Sequence, residues 1–384
     1  MYYVAMQNYQ RIIEPEIKKR LFETGKVIVL YGPRQVGKTT LAKKILCDYG
    51  SEAGYFDCDI LTVREALMSS NPETMHDVFA GHKVIVFDEA QKIENIGVAL
   101  KLLIDTYPDM AIIATGSSSF DLANRVAEPL TGRHYEFFLS QIASEEMLKS
   151  NTKLEVLNDL PTRLIYGNYP EVINAKNNSE AREKLELLAT SYLYKDVLQF
   201  NTIRNSEVLM NILKALAHQV GSEVSYNEIA NLVSIDRKTV MSYMSLLEQA
   251  FIIFRLLPLT ANKRNEIKKL RKVYFYDNGI VSALTRNFSS VESGRDMGGL
   301  WENYMMSERL KYQRNHLLRY GNYYWRRNRG GEVDYIEEYD GELYPYEFKF
   351  KKGSASSATA DFYRSYKAPR IEVIHKENFL KFVL

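Results

Sequence analysis

The chain has 384 residues, 46% of them hydrophobic, and a formal net charge of +2. This length allows two or three domains with sizeable cores, and the near-neutral charge excludes a polycationic protein, so any nucleic-acid surface must be a local patch. Two cysteines, Cys47 and Cys58, without a secretory leader predict a cytoplasmic location, and no apolar run is long enough to cross a membrane. The six histidines show no zinc-ligand spacing.

The first third of the chain predicts one amphipathic helix followed by alternating strands and helices. Residues 9–24 place apolar side chains on one face and basic ones, Arg11 among them, on the other. Strands are predicted at residues 27–30, 55–57, 84–87, 111–114 and 135–139, and helices at residues 40–46, 98–105 and 120–126. Such alternation is typical of an α/β fold with a three-layer parallel sheet.

The segment after the first strand matches the template G-x-x-x-x-G-K-[ST] of a phosphate-binding loop. Short glycine and lysine motifs also arise by chance, but this one lies between a strand and a helix, as the template requires. Backbone N–H groups and the helix N-terminus would hold phosphate, Lys38 would reach the β- and γ-phosphates, and Thr39 would ligate Mg²⁺. The motif therefore predicts ATP and Mg²⁺ as cofactors. The candidate binding residues are Gly32, Pro33, Arg34, Gln35, Val36, Gly37, Lys38, Thr39 and Thr40.

A carboxylate pair, Asp88 and Glu89, directly follows the apolar run at residues 84–87. Four consecutive apolar residues favour a strand buried on both faces of a parallel sheet, and such sheets bind ligands at the carboxyl ends of their strands. Asp88 would hold the Mg²⁺ shell, and Glu89 would polarise the attacking water. Together with the loop, this pair predicts hydrolysis of a nucleoside triphosphate.

Two further positions have an open interpretation. A hydroxyl of Thr115 or Ser117 would sense the γ-phosphate, or it would cap the helix predicted at residues 120–126. Arg133 is either a surface residue or the arginine that stabilises charge on the transferring phosphoryl group. An Arg133 that acts in trans needs a dimer or a ring, whereas one that acts in cis needs only a monomer. The oligomeric state stays open.

The middle of the chain predicts a helical lid or linker at residues 146–200 and a winged helix-turn-helix at residues 201–275. Ser225 and Asp236 are placed to cap two successive helices. Arg237 and Lys238 would then contact DNA from the second helix, and the basic stretch Lys263–Lys272 would add phosphate contacts as a wing. The alternative is a lid or a protein-binding module, because winged helices also serve those roles.

The C-terminal part, residues 276–384, predicts a hairpin turning at Asp340 and Gly341. Opposing residues in that register sum to 681, which places Asp334 opposite Glu347, with Lys349 on the same face. With Glu302 from a preceding helix, this set resembles the Mg²⁺-binding core of restriction-type nucleases, in which the carboxylates bind metal and the lysine orients the nucleophile. The alternative is a solvated hairpin with alternating charges.

Taken together, these motifs resemble a prokaryotic AAA-type ATPase family that carries a C-terminal domain of unknown function. The matching segments are residues 31–40, 87–91, 115–118, 130–133, 167–171, 272–279, 332–334 and 347–349. The resemblance implies an AAA core at residues 1–145, a winged-helix middle and a restriction-nuclease-like end. It also implies Thr115 or Ser117 as the nucleotide sensor and Arg133 as the candidate arginine. The chain departs from the family at Asn168, where glycine is more usual, and at Phe348, where valine is more usual.

The function predicted from the sequence is an ATPase switch associated with DNA through its winged-helix and nuclease-like parts. One alternative is an ATP-gated, Mg²⁺-dependent nuclease. The other is a regulatory NTPase that binds a protein partner and no DNA.

Overall fold

The protein is described by a computed structural model. It covers residues 9–69, 71–117, 129–198, 205–260, 270–290, 297–327, 331–354 and 359–384. Within these residues the chain forms two compact units. The first contains residues up to 142 together with residues 249–251, and the second contains residues 143–248 and 252–384.

The first unit is an α/β layer structure built on a parallel sheet, as the sequence predicts. Its strands follow the order β2-β3-β4-β1-β5, and every pairing is parallel. The strands are β1 (Val27–Tyr31), β2 (Ala53–Asp57), β3 (Val84–Asp88), β4 (Ala111–Gly116) and β5 (His134–Phe138). The helices are α1 (Glu14–Arg20), α2 (Lys38–Cys47), α3 (Leu61–Met68), α4 (Pro72–Phe79) and α5 (Ile96–Thr106).

Burial of the central strands explains why the apolar runs predict them well. All five residues of β3 are buried, and so are the first four of β1. On one face, alternate residues such as Ile85 and Phe87 join a core with α3, α4 and α5. A strand covered on both faces needs apolar residues at every position, so it reads as a continuous run.

Of the helices predicted in this unit, one is shorter than predicted and one lies outside the described residues. The helix predicted at residues 9–24 is shorter, Glu14–Arg20, with Pro15 in its first turn. Arg11, expected on the polar face of that helix, precedes it and is buried. The helix predicted at residues 120–126 lies outside the described residues.

The second unit begins with helices and ends in a mixed sheet. Its helices are α6 (Ser144–Met147), α7 (Lys153–Tyr166), α8 (Pro170–Ile173), α9 (Asn178–Leu198), α10 (Ser206–His218), α11 (Tyr226–Leu232), α12 (Arg237–Gln249), α13 (Asn278–Thr285), α14 (Gly298–Asn315), α15 (Thr359–Ser365) and α16 (Phe379–Val383). Its strands are β6 (Glu223–Val224), β7 (Ile253–Pro258), β8 (Arg271–Phe275), β9 (Gly321–Arg326), β10 (Glu332–Tyr339), β11 (Glu342–Phe348) and β12 (Glu372–Ile374). None of the helices in the described ranges has the length and apolar content that spanning a membrane requires.

One seven-stranded sheet runs through this unit in the order β12-β11-β10-β9-β7-β8-β6. The junction is the parallel pairing of β7 with β9, in which Leu257 faces Tyr323 and Pro258 faces Tyr324. The predicted boundaries at 200/201 and 275/276 therefore fall inside one compact unit, whereas the boundary at 145/146 lies near its start.

The C-terminal hairpin has the predicted register. Tyr339 pairs with Glu342 and Tyr335 with Tyr346, so opposing residues sum to 681. Asp340 and Gly341 form the two-residue turn, both with positive φ, 49° and 81°. An Asp-Gly pair suits such a turn because both positions need left-handed backbone.

A buried polar junction joins the turn after α7 to the start of α13. The Asp277 carboxylate accepts the main-chain N–H of Asn168 at 2.7 Å and that of Gly279 at 2.8 Å. The Asn168 side chain donates to Glu308 of α14 at 3.0 Å. Burial raises the pKa of Asp277 to about 6, although the charge of Lys311 and these two N–H donors oppose the shift. Asn168 occupies the position where the resembling family more usually has glycine. Its side chain thus makes a hydrogen bond to Glu308 that a glycine could not make.

Candidate functional site

The loop between β1 and α2 has positive φ angles at three positions. Gly32, Gln35 and Gly37 have positive φ, 149°, 57° and 98°. A Cβ on Gly32 would lie 2.1 Å from the carbonyl oxygen of Leu139, so only glycine fits there. Gly37 precedes α2, which starts at Lys38. The loop therefore presents its backbone at a helix N-terminus, where anions bind well.

Lys38 lies inside this loop. Its ammonium donates to the carbonyl oxygens of Gly32 at 2.8 Å and Pro33 at 2.7 Å, and the side chain is buried. Thr39 follows in the first turn of α2, while Gln35 and Thr40 are exposed and Arg34 is half-buried. Lys38 is thus held at the loop by partners that a phosphate oxygen can replace.

Asp88, at the end of β3, collects hydroxyl groups from three other elements. It accepts from Thr39 at 2.7 Å, from Tyr55 at 2.5 Å and from Thr115. Burial opposes its ionisation, but hydrogen bonds from Thr115, Tyr55 and Thr39, with the charge of Lys38, hold the pKa of Asp88 below its usual range. Asp88 is therefore a carboxylate at neutral pH. The contact of Tyr55 with Asp88 was not predicted, since nothing in the local sequence links a tyrosine in β2 to Asp88.

Of the two predicted sensor residues, Thr115 contacts Asp88, and Ser117 is linked to Glu89 through Gln91. The main-chain N–H of Glu89 donates to the Thr115 hydroxyl at 3.2 Å. Gln91 donates to the Glu89 carboxylate and, at 3.2 Å, to the Ser117 hydroxyl. Both Thr115 and Ser117 are buried. The structure thus brings together the site residues predicted at the ends of β3 and β4.

The donor set of Thr39 and Asp88 fits Mg²⁺. The two oxygens lie 2.7 Å apart. Neighbouring ligands on an octahedral Mg²⁺ lie about 3 Å apart, because each Mg–O distance is about 2.1 Å. A hydroxyl and an ionised carboxylate are also the oxygen ligands that this hard cation prefers. Thr39 and Asp88 can therefore hold the ion, directly or through water.

Arg11 is a residue of this site that the sequence does not reveal. Its guanidinium donates to the carbonyl oxygens of Val36 at 2.8 Å and Ser140 at 2.6 Å. The peptide between Val36 and Gly37 is planar, so fixing its C=O toward Arg11 turns the Gly37 N–H the opposite way. Arg11 therefore sets the orientation of a loop N–H. It lies 25 residues before Val36, and no local pattern relates the two.

Replacing Arg11 by glutamine is expected to weaken ATP binding by about tenfold, equivalent to about 1.4 kcal/mol. The shorter, neutral side chain cannot hold both carbonyl groups, so the loop loses part of its order. Isothermal titration with a slowly hydrolysed ATP analogue measures the affinity. Arg20→Gln is the control, because Arg20 pairs with Glu16 on α1 and does not contact the loop. Equal affinities in the two variants would contradict this role.

Arg133 is not brought to the loop. It immediately precedes β5, and its carbonyl oxygen accepts the N–H of Val27, the first residue of β1. The phosphate loop follows the other end of β1, and a five-residue strand is roughly 13 Å long. The Arg133 guanidinium pairs instead with Asp105. The geometry thus gives no support to a role in cis, and a role in trans stays a prediction.

In the predicted DNA-contact segments, the capping residues have the expected contacts. Asp236 accepts the N–H groups of Lys238 at 2.8 Å and Thr239 at 3.0 Å, and Ser225 caps α11. Arg237 and Lys238 are exposed. Most of the basic stretch Lys263–Lys272 cannot be compared with the prediction, because residues 261–269 lie outside the described residues. Lys272, at its end, is only 2% exposed. Lys272 therefore cannot contact DNA, because its side chain is buried among carboxylates.

The predicted second Mg²⁺ site is not assembled as expected. Glu302 and Asp334 do lie in one cluster, but Lys272 contacts Glu302 at 2.8 Å within it. Glu347 pairs with Lys349 at 2.8 Å. In the described part of the chain no group of three or more acidic, histidine or cysteine side chains is arranged to hold a metal ion. The residues present do not fit this metal, because an ammonium already lies beside the carboxylates.

Three segments of the chain match known protein families. Residues 24–148 match a family described as an AAA domain. Residues 157–291 match a domain of unknown function, DUF8612, and residues 297–380 match a second one, DUF4143. The first match contains the phosphate loop, Asp88, Glu89 and Thr115.

Two uncharacterized relatives match most of this chain and about three quarters of their own length. An uncharacterized protein of Mycobacterium tuberculosis is 26% identical over 344 residues, covering 88% of this chain and 73% of the relative. One of Methanocaldococcus jannaschii is 24% identical over 351 residues, covering 85% and 75%. Among solved structures, AMPPCP-bound DnaA from Aquifex aeolicus matches with a TM-score of 0.28 and 16% identity, over 62% of this chain and 86% of that one. On the family matches alone, residues 24–148 are an AAA-type P-loop domain, and residues 297–380 are a C-terminal domain of unknown function.

Proposed function

We propose that the first unit binds and hydrolyses ATP and acts as a switch for the second unit. The observation that carries this proposal is the convergence of the Thr39 and Thr115 hydroxyls on Asp88, with the Glu89 N–H on Thr115, beside a loop that holds Lys38. Phosphate binding, metal binding and water activation need these groups within a few ångströms of one another. An anion-binding loop with a structural role alone would not require Asp88 and Glu89 at its side.

Each residue has a distinct task in the proposed reaction. Lys38 exchanges its carbonyl partners for phosphate oxygens and neutralises their charge. Thr39 and Asp88 would hold Mg²⁺, which would supply charge stabilisation to the phosphate oxygens. Glu89 leaves its contact with Gln91 and orients the attacking water toward the γ-phosphate. Thr115 links Asp88 to the Glu89 backbone through two hydrogen bonds. A shift of its hydroxyl on contact with the γ-phosphate would therefore move both carboxylates.

Glu89→Gln is expected to retain ATP binding and to lower turnover by about 100-fold or more, because the amide cannot accept a proton from water. Phosphate release by the full-length chain measures turnover, and titration with ATP in the presence of Mg²⁺ measures binding. Glu94→Gln makes the same change on an exposed residue a few positions away and should leave turnover unchanged. Wild-type turnover in Glu89→Gln would remove Glu89 from the mechanism.

We further propose that the second unit associates with DNA through a winged helix. In support, α10, β6, α11, α12 and the β7–β8 hairpin follow the order of such a domain, and β6 pairs with β8 beside the hairpin. Arg237 and Lys238 project from the first turn of α12, where a recognition helix meets phosphates and base edges. The alternative, a protein-binding module, predicts partner binding that salt does not weaken.

The double variant Arg237→Ala, Lys238→Ala is expected to weaken DNA binding and to reduce its salt dependence. Removing one lysine or arginine from a phosphate lowers the slope of log K against log salt by about 0.9. Fluorescence anisotropy on labelled duplex DNA across a salt series, with and without ATP, measures both quantities. Lys351→Ala, Lys352→Ala is the charge-matched control, since both residues are exposed in the same unit. DNA binding that is absent, or equal in both variants, would favour the protein-binding module.

A further inference from the structure

Lys272 extends from β8 into a cluster of three carboxylates. Its ammonium lies 2.8 Å from Glu302 Oε1 and 4.0 Å from Asp334 Oδ1, and it pairs with Glu332. The ring of Tyr324 lies 5.7 Å from the same nitrogen. The side chain is almost fully buried. An ammonium has three donors and no acceptor, so an acidic pocket of this kind satisfies it.

The carboxylates are fixed around this ammonium by other contacts. The hydroxyl of Tyr274 donates to Glu302 Oε1 at 2.7 Å, and the N–H of Phe348 donates to Asp334 Oδ2 at 2.8 Å. Asp334 also lies in an irregularity of β10, where the register with β9 shifts between Val333 and Ile336. Such bulges redirect side chains. The position of Asp334 is therefore set by the backbone as well as by Lys272.

We propose that Lys272 is the resident cation of this cluster and takes the place that a divalent ion would have between Glu302 and Asp334. The cluster of Lys272, Glu302, Glu332 and Asp334 is then an internal ion-pair centre that joins β8 to α14 and β10. It follows that this chain does not use these carboxylates for metal-dependent cleavage of nucleic acid. Lys349, paired with Glu347, has no metal-bound nucleophile to orient.

An ammonium and Mg²⁺ exclude each other here. An ion bound by Glu302 Oε1 would lie about 2.1 Å from that oxygen, which already accepts a hydrogen bond from Lys272. Two cations that share one carboxylate oxygen would lie within a few ångströms of each other, where they repel strongly. The backbone of Lys272 is also fixed by strand pairing on both sides. Its backbone pairs with Leu256 of β7 on one side and Glu223 of β6 on the other.

Mn²⁺ binding to the full-length chain, measured by electron paramagnetic resonance without nucleotide, tests the proposal. The wild type and Asp334→Asn are expected to bind equal numbers of Mn²⁺ ions. Lys272→Met is expected to bind about one additional ion per chain, because three carboxylates are then without their internal cation. Combining Lys272→Met with Asp334→Asn should abolish this additional binding, and Lys272→Arg, which keeps the charge, should show none.

Lys349→Met is the matched control, because it removes a lysine beside Glu347 and leaves Lys272 in place. It should bind no additional ion. Loss of a bound Mn²⁺ from the wild type on Asp334→Asn would overturn the proposal, and so would a folded Lys272→Met variant that binds no more Mn²⁺ than the wild type. Circular dichroism verifies folding. If Lys272→Met does not fold, the comparison of the wild type with Asp334→Asn still decides the question.

Discussion

Lys38→Ala is expected to remove ATP binding and ATP turnover together, raising the Kd by about 100-fold or more, which corresponds to about 2.7 kcal/mol. The Lys38 ammonium is buried in the loop and makes two hydrogen bonds to its carbonyl groups, so it is already placed where phosphate charge accumulates. No other lysine is in the loop segment, residues 32–39. Titration with ATP and a phosphate-release assay on the same preparation measure the two effects.

The contrast with Glu89→Gln makes this result specific. Lys38→Ala should lose binding, whereas Glu89→Gln should lose only turnover. Lys44→Ala is the control on the same helix, because Lys44 is exposed and pairs with Glu14 away from the loop. If Lys38→Ala binds ATP as tightly as the control, phosphate binding does not depend on the loop lysine. Unchanged turnover would place hydrolysis elsewhere.

Gly167→Ala is expected to destabilise the second unit by more than about 3 kcal/mol. A Cβ at this position would lie 1.8 Å from the Asp277 carboxylate oxygen, and φ is +70°. The carboxylate cannot move away, since it accepts the N–H groups of Asn168 and Gly279. The substitution must therefore either break those hydrogen bonds or displace α13. Chemical unfolding followed by circular dichroism measures the loss.

Gly341→Ala separates the clash from the backbone strain. Gly341 also has positive φ, +81°, but nothing lies within 4 Å of its Cβ position. Its alanine variant should cost about 1–2 kcal/mol, the penalty of left-handed backbone alone. Equal losses in the two variants would show that Asp277 yields to the new methyl group without cost.

The sequence predicts well whatever depends on neighbouring residues. The phosphate loop, the fully buried strand before Asp88 and the Asp340–Gly341 turn each come from a local pattern, and the hairpin register follows from the turn alone. A continuous motif fixes its own geometry because its parts are joined by a few peptide bonds. The phosphate loop and the strand before Asp88 account for the candidate site predicted in the first unit, and the turn accounts for the hairpin predicted in the second.

What the sequence does not predict depends on contacts between distant segments. Arg11 reaches Val36 and Ser140, and Tyr55 reaches Asp88, with no pattern that relates the partners. Lys272 belongs to a basic stretch and therefore suggests a nucleic-acid surface, yet it is buried with Glu302. Its partners come from α14 and β10, which only the tertiary fold brings near. Residue type alone could not distinguish a buried cation from a surface one.

The β7–β9 pairing has a consequence for dividing this chain into pieces. The two family matches of the second unit meet between residues 291 and 297, which makes that point an obvious place to separate them. Excising either piece there would leave Leu257 and Pro258, or Tyr323 and Tyr324, on an unpaired strand edge. Bare edges of this kind recruit other strands and promote aggregation. Truncations that keep residues 143–384 whole preserve the sheet. Aggregation of the shorter fragments would result from the strand edge exposed by the cut, not from instability of the native fold.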